Sequence, residues 1–432
     1  MPGFDLSLFS NRLSSYERGV NSLVQCVVVG AVVGTAFAGA GVEVQVGQEG
    51  DWCLAIPADV GVLVDVPEAT WVQYLRVGAY VHWQSTFVDG EAGGRDFWYG
   101  RGWDWRRTRL TAKARVLDAV SLMTHVNLSS DEGRDGGGVE IDYQGVFLAW
   151  AELDLNRVSG SSRLDSWDVG YGKRKLGELN EEMDTSVNAI LTVERSSFAA
   201  QLVPFRAATG TTGAWMKGMR GNEAFSIGVY TTDASPEFGN WSDGTLVVGA
   251  WEHDFRESWG MEEATLSLGG GWQDVEEGDE VYAAWEWVIT PWLKLKKGPF
   301  LLRVSAAFGE NEGPETTTGG GFYGASITPV YEWIPDRLQL VGRYTVMGSE
   351  GPHGVQLTSR YAREAGRAPN EDIPDLASGR GDFHQSVYGG AVWWVCPQRM
   401  SVLAGVEWEQ LESRDMKVYS GLTGWFAMRL IY

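Results

Sequence analysis

Residues 75–84 read LRVGAYVHWQ. On an extended strand successive side chains point to opposite faces, so Leu75, Val77, Ala79, Val81 and Trp83 share one side. Arg76, Gly78, Tyr80, His82 and Gln84 take the other, so one face suits lipid and the other water. The same pattern groups Leu110, Ala112, Ala114 and Val116, then Phe147, Ala149, Ala151 and Leu153, and finally Phe426, Met428, Leu430 and Tyr432. From Trp71 onward the chain repeats this unit, about ten alternating residues followed by a turn or a Gly/Asp/Glu-rich loop. Connections are of two kinds. Leu117-Asp118-Ala119-Val120, Pro335-Asp336-Arg337 and Cys396-Pro397-Gln398-Arg399 are tight, whereas Asp131 to Gly138, Glu310 to Gly320 and Glu350 to Gly381 are long and hydrophilic. The pattern predicts an all-β fold, a transmembrane antiparallel β-barrel with periplasmic turns, extracellular loops and about 16 strands, at roughly 25 residues per strand.

Composition agrees with this. Of 432 residues, 56 are Gly and 21 are Trp, which suits turns and close backbone packing and would weaken a helical bundle. A hydrophobic share of 44% excludes bulk disorder despite the formal charge of −22. That acidity argues against nucleic acid, whose phosphates need a basic contact face. Tryptophans cluster near expected strand ends, at Trp71, Trp83, Trp103, Trp105, Trp241, Trp285, Trp287, Trp333, Trp393, Trp394 and Trp425. An indole with one N–H donor rests at the headgroup level and forms barrel girdles. A soluble β-sandwich with core or sugar-stacking tryptophans is the competing reading. The C-terminal strand closing on Tyr432 speaks against it, because it resembles the signal read by the barrel-assembly machinery.

The N-terminal stretch Leu23 to Phe37, LVQCVVVGAVVGTAF, follows Arg12 and Arg18 and precedes the small-residue site Ala36-Phe37-Ala38. It reads as a secretory signal and is short for the ~20 residues of a membrane anchor. Residues 1–38 are therefore expected to be a cleaved signal peptide, 39–70 a periplasmic lead-in and 71–432 the barrel of a bacterial outer membrane. Cys53 and Cys396 would remain after cleavage, and an oxidising periplasm permits but does not require their pairing. Neither has metal-ligand spacing, and no cofactor is implied.

Residues 105–115 carry the charge that matters most. Alternation puts Arg107, Arg109, Thr111, Lys113 and Arg115 on one face, with Leu110, Ala112 and Ala114 opposite. Cations on the lipid face would cost roughly 2–4 kcal/mol each at the midplane, so the basic row should face the lumen. There it either attracts anions, guanidinium forks suiting a phosphate oxygen pair, or pairs with lumenal carboxylates such as Glu152 and Asp154.

Arg106-Arg107-Thr108-Arg109-Leu110 resembles the Arg-Arg-x-Arg-Leu strand of the phosphate-selective porin family, the O- and P-type outer-membrane channels. Val169-Gly170-Tyr171-Gly172-Lys173, Val193-Glu194-Arg195-Ser196 and Leu340-Val341-Gly342-Arg343-Tyr344 fit in order, so the similarity runs from about Trp71 to Tyr432. The resemblance implies a trimeric 16-strand porin whose third loop folds inward as a constriction, here Leu176 to Leu191. Lys173, Lys175 and Arg195 flank it and join Arg107, Arg109, Lys113 and Arg115 as candidate anion-binding residues; Arg195 could equally hold the loop through Glu194 or a wall carboxylate. The expected function is passive diffusion of small anions, phosphate or pyrophosphate among them. A general diffusion porin, or a non-conducting barrel, is the alternative. Only eight lysines and an acidic loop (Glu178, Glu181, Glu182, Asp184) depart from the family pattern and weaken the phosphate reading. The histidines His82, His125, His253, His353 and His384 lack a Ser or Asp signature around them, so no enzyme is expected.

Overall fold

The computed structural model describes residues 60–128, 143–160, 163–203, 210–233, 235–274, 282–357, 379–397 and 399–431. The expected signal peptide, the stretch Asp131–Gly138 and Cys53 lie outside the described residues. Cys396 is disulfide-bonded. No helix among the described residues is long and apolar enough to cross a membrane.

The protein is a closed antiparallel β-barrel of 16 strands. Strands β1 (Val72–Ala92), β2 (Arg95–Val116), β3 (Val120–Asn127), β4 (Gly145–Asp154) and β5 (Ser166–Arg174) open the wall. It continues through β6 (Thr211–Arg220), β7 (Glu223–Thr231), β8 (Thr245–Asp254), β9 (Glu263–Asp274), β10 (Trp285–Lys297) and β11 (Phe300–Asn311). The last five are β12 (Gly320–Ile334), β13 (Leu338–Ser349), β14 (Phe383–Cys396), β15 (Met400–Ser413) and β16 (Met416–Ile431). Each strand pairs with its sequence neighbours, and β16 pairs with β1 over Tyr419↔Ala92 to Ile431↔Tyr80. Closure leaves the wall without a free edge, the condition for a sheet to cross lipid. Below the end of β16, the short strand Val62–Asp65 pairs with β1 at Tyr74 to Arg76.

The outer face is apolar and exposed: Leu110, Leu122, Ile227, Leu268, Phe308, Ile327, Val387, Val406 and Leu422 all point outward. Aromatic residues gather at its two rims. Trp71, Phe300, Tyr331, Trp333 and Trp393 stand at the tight-turn end, and Trp98, Trp241, Trp272 and Tyr323 at the loop end. Leu117, Asp118 and Asp336 take positive φ in the tight turns, the backbone twist such short reversals need. Three girdle expectations fail: Trp285 is fully buried on the inner face and donates to the Leu202 carbonyl at 2.9 Å, Trp425 also turns inward, and Trp394 packs on the same inner cluster and donates to Gln339 Oε1 at 3.0 Å. Phe147 departs as well. A register shift at His125/Val126 rotates it out of the Ala149, Ala151, Leu153 face and under the Arg109 guanidinium.

Candidate functional site

The segment between β5 and β6 is folded into the barrel. Its apolar residues Leu176, Leu179, Met183, Ile190, Val193, Phe198 and Leu202 are buried against the inner wall. Their spacing is irregular, and so is the local structure: a 3₁₀ turn at Gly177–Leu179, a helical turn at Glu181–Asp184 and a short helix at Ser197–Leu202. Asn180 and Ser196 cap the latter two, accepting from the N–H of Met183 and Ala199. The wall makes room with glycine. A Cβ on Gly324 would sit 2.6 Å from the Phe198 ring. The inward segment thus continues past Leu191, the expected limit, to Val203 at least.

Ion pairs fasten this loop to the wall. Arg343 on β13 is buried and bridges Glu182 of the loop and Glu407 of β15, each at 2.9 Å. Its Nη1 also donates to the Glu194 carbonyl at 3.1 Å. Arg429 on β16 donates to the carbonyls of Ile190, Thr192 and Val193, at 2.5, 2.8 and 3.1 Å. Arg303 meets Glu181 at 3.1 Å. On β2 the register passes from His82↔Arg107 to Trp83↔Trp105, leaving Arg106 as the extra residue of a bulge. Two consecutive arginines thereby reach one carboxylate: Arg106 Nε lies 2.5 Å and Arg107 Nη2 3.3 Å from Glu194.

Most of the expected anion-binding residues have protein partners. Arg107 is held by Glu194. Arg109 donates to Tyr80 at 2.7 Å and to Asn127, with its guanidinium 3.4 Å from the Phe147 ring centroid. Lys175 donates to the Met183 carbonyl at 2.7 Å. Burial, with Arg195 adding repulsion, lowers its ammonium to about 8. Arg195 donates to the carbonyls of Glu182 and Thr185 at 2.9 and 2.7 Å, so it braces its own loop rather than pairing with Glu194 or a wall carboxylate. Burial lowers its guanidinium to about 10, against the attraction of Glu182. Lys173 is not brought to the lumen. Its register partner is Ala149 on the outer side, and its Nζ is bound to the carbonyls of Ser235 and Glu237 at 2.5 and 2.6 Å. Arg115 donates to the Asp118 carbonyl at 3.0 Å and lies 3.7 Å from Asp154, the pairing left open by the alternation.

Lys113 differs. It is exposed on the inner face, directly opposite Arg76 across β1 and β2, and among the described residues neither has a hydrogen bond or ion pair. The open face of the loop carries Asp184, Ser186 and Ala189. Glu252 on β8 interacts electrostatically with Asp184 and Glu178, and Glu152 on β4 is paired with Lys217 at 2.7 Å. The lumen therefore presents unpaired cations on one sector and carboxylates on another.

Sequence reading missed Arg343, Arg429, Arg303 and Glu407. A signal for them existed: each arginine is the charged alternate in an otherwise apolar strand, as in Leu340-Val341-Gly342-Arg343-Tyr344 and Met428-Arg429-Leu430.

What fold and site define together is a constricted transmembrane barrel, a closed wall with a loop locked inside it. No protein-family model matches the chain, and no curated protein matches it in sequence. Solved structures do. OprB of Pseudomonas putida superposes with a TM-score of 0.52 at 8% identity, covering 83% of this chain and 94% of that one. The outer-membrane channel DcaP of Acinetobacter baumannii gives 0.49 at 11% identity, covering 83% and 97%. At such identity the likeness to OprB is one of fold.

Proposed function

We propose that the chain is a bacterial outer-membrane porin for passive diffusion of small hydrophilic solutes. The observation that carries this reading is the loop between β5 and β6, folded inside a closed barrel and clamped by Arg343, Arg429 and the Arg106–Glu194–Arg107 bridge. A fastened loop narrows a pore to a fixed size. The commitment of Arg107, Arg109, Lys175 and Arg195 to protein groups favours general diffusion over a dedicated phosphate site.

A weak anion preference is a second reading, supported by the unpaired Lys113 and Arg76 on the inner wall. Conduction needs contacts strong enough to recruit and weak enough to release. Recording from planar bilayers under a salt gradient tests both readings. Stable steps of conductance are expected; a protein that inserts and never conducts would overturn the porin reading. A modest anion-selective reversal potential that disappears in Lys113→Gln/Arg76→Gln supports the second reading, and a cation-selective wild type removes it.

In the same proposal residues 1–38 act as export signal, the barrel-assembly machinery reads the last strand, and lipid with lipopolysaccharide surrounds the apolar wall. We also propose a homotrimer. The sector β3 to β7 is low, with only 8 residues in β3 against the 9–11 a tilted spanning strand needs. The outer face from β2 to β5 bears a concavity of about 510 Å³ lined by Ala112, Ala114, Ala149 and Ala151 together with Leu122, Tyr171 and Phe238, an apolar hollow that a neighbouring wall can enter. Native mass measurement in mild detergent should return three copies; a monomer at all concentrations would remove the trimer.

A further inference from the structure

Among the described residues behind the constriction loop, the buried carboxylates are matched to arginines with one exception. Glu181 faces Arg303, Glu194 faces Arg106 and Arg107, and Glu182 and Glu407 share Arg343. Glu409 on β15 is equally buried, at 2% exposure, and among the described residues its partner is His384 Nε2 on β14 at a long 3.4 Å, a counter-charge only when the imidazole is protonated. Its second oxygen has no protein hydrogen-bond partner. Nor have His384 Nδ1 and the hydroxyl of Thr423, both on residues with no exposed surface. These groups adjoin. Register sets Ser386 and Gly421 on either side of Glu409, while Thr423 stands directly across from Glu407 and diagonally from Glu409; Ser386 also approaches the Glu407 carboxylate. Gly421 brings no side chain of its own, and the Tyr419 hydroxyl lies over it.

A buried carboxylate without a counter-charge is costly, and orphaned polar atoms in one place call for an occupant. Glu407 beside it is already matched to Arg343, so the surroundings leave the charge of Glu409 and neutral hydroxyl oxygens, hard donors that suit a small cation of charge one. We infer that the wall behind the constriction loop holds a buried site for a small monovalent cation, with Glu409 as the charged ligand and the Thr423 and Ser386 hydroxyls as neutral ones. The site is separate from the solute path and does not depend on the porin reading.

Crystals of the full-length barrel soaked in thallium(I) nitrate, an anomalous scatterer of this charge, provide the direct test. A peak beside Glu409 is expected in the wild type, lost in Glu409→Gln and reduced in Thr423→Val. In solution, thermal unfolding in sodium chloride is compared with choline chloride at equal ionic strength, because choline is too large for the site. Wild-type melting should fall in choline, with a logarithmic dependence on sodium concentration, and Glu409→Gln should lose that dependence. No thallium peak at Glu409, or equal melting in sodium and choline, overturns the site and leaves water as the occupant.

Discussion

A single side chain, Arg343, shows how the constriction is held. Its guanidinium is the counter-charge of two carboxylates on different elements, one on the loop and one on the wall. Arg343→Gln would leave Glu182 and Glu407 buried without it, at a cost of about 3–5 kcal/mol, drawn mostly from loop seating. The expected result is larger, noisier conductance and faster protease cleavage within the loop. Glu194→Gln acts in the opposite sense: it removes the negative charge facing Arg106 and Arg107, so the reversal potential should move toward anion selectivity. Lys175 supplies a pH signature. Because its ammonium is lowered from 10.5 to about 8, the loop released from its seat binds more protons between those values, and seating strengthens as pH rises through that window. Over the same rise the constriction loses one positive charge. Anion preference should therefore decline around pH 8, and Lys175→Met should abolish the step.

At the scale of the element, alternation was legible and its interruptions were not. The apolar faces of β1, β2 and β16 stand outward as read from Leu75, Leu110 and Phe426. A bulge shifts parity by one, and nothing in the Arg106-Arg107 pair tells which residue is extra. The same limit explains Phe147, and Lys173, expected at the lumen, is set outward by its register with Ala149. Gly172 lies two residues before the end of β5, with φ near +134°, a conformation that side chains avoid. A Cβ there would collide with the Ala149 carbonyl and stand 2.7 Å from the Trp150 Cα. Gly172→Ala should destabilise the barrel by about 1–3 kcal/mol or more, measured by urea unfolding in vesicles.

For the whole molecule, the decisive property is that the sheet closes. Closure satisfies every wall strand on both sides and allows an outer surface of Leu, Ile, Val and aromatic residues that no soluble protein would tolerate at this extent. Leu268 lies midway along β9 on that surface, half exposed. Leu268→Arg should cost about 2–4 kcal/mol in equilibrium folding into bilayers, with a smaller effect in detergent, where the headgroup region lies closer. Charge is also divided at this scale: Asp184 stands on the open face of the loop, whereas Arg303, Arg343 and Arg429 hold the loop from the wall behind it.

The amino-acid sequence by itself determined the strand content, the face that meets lipid, the two kinds of connection and the existence of a basic inner row. These follow from a period of two and from the cost of charge in hydrocarbon, both of which act locally. Only the tertiary structure decided what the basic row does. Whether Arg107 meets a solute or Glu194, 87 residues away, depends on where the loop lies and on a one-residue bulge. Burial turns such a choice into structure: once the loop's apolar residues dock on the inner wall, each carboxylate carried in with them requires a cation, and the arginines are drawn to them.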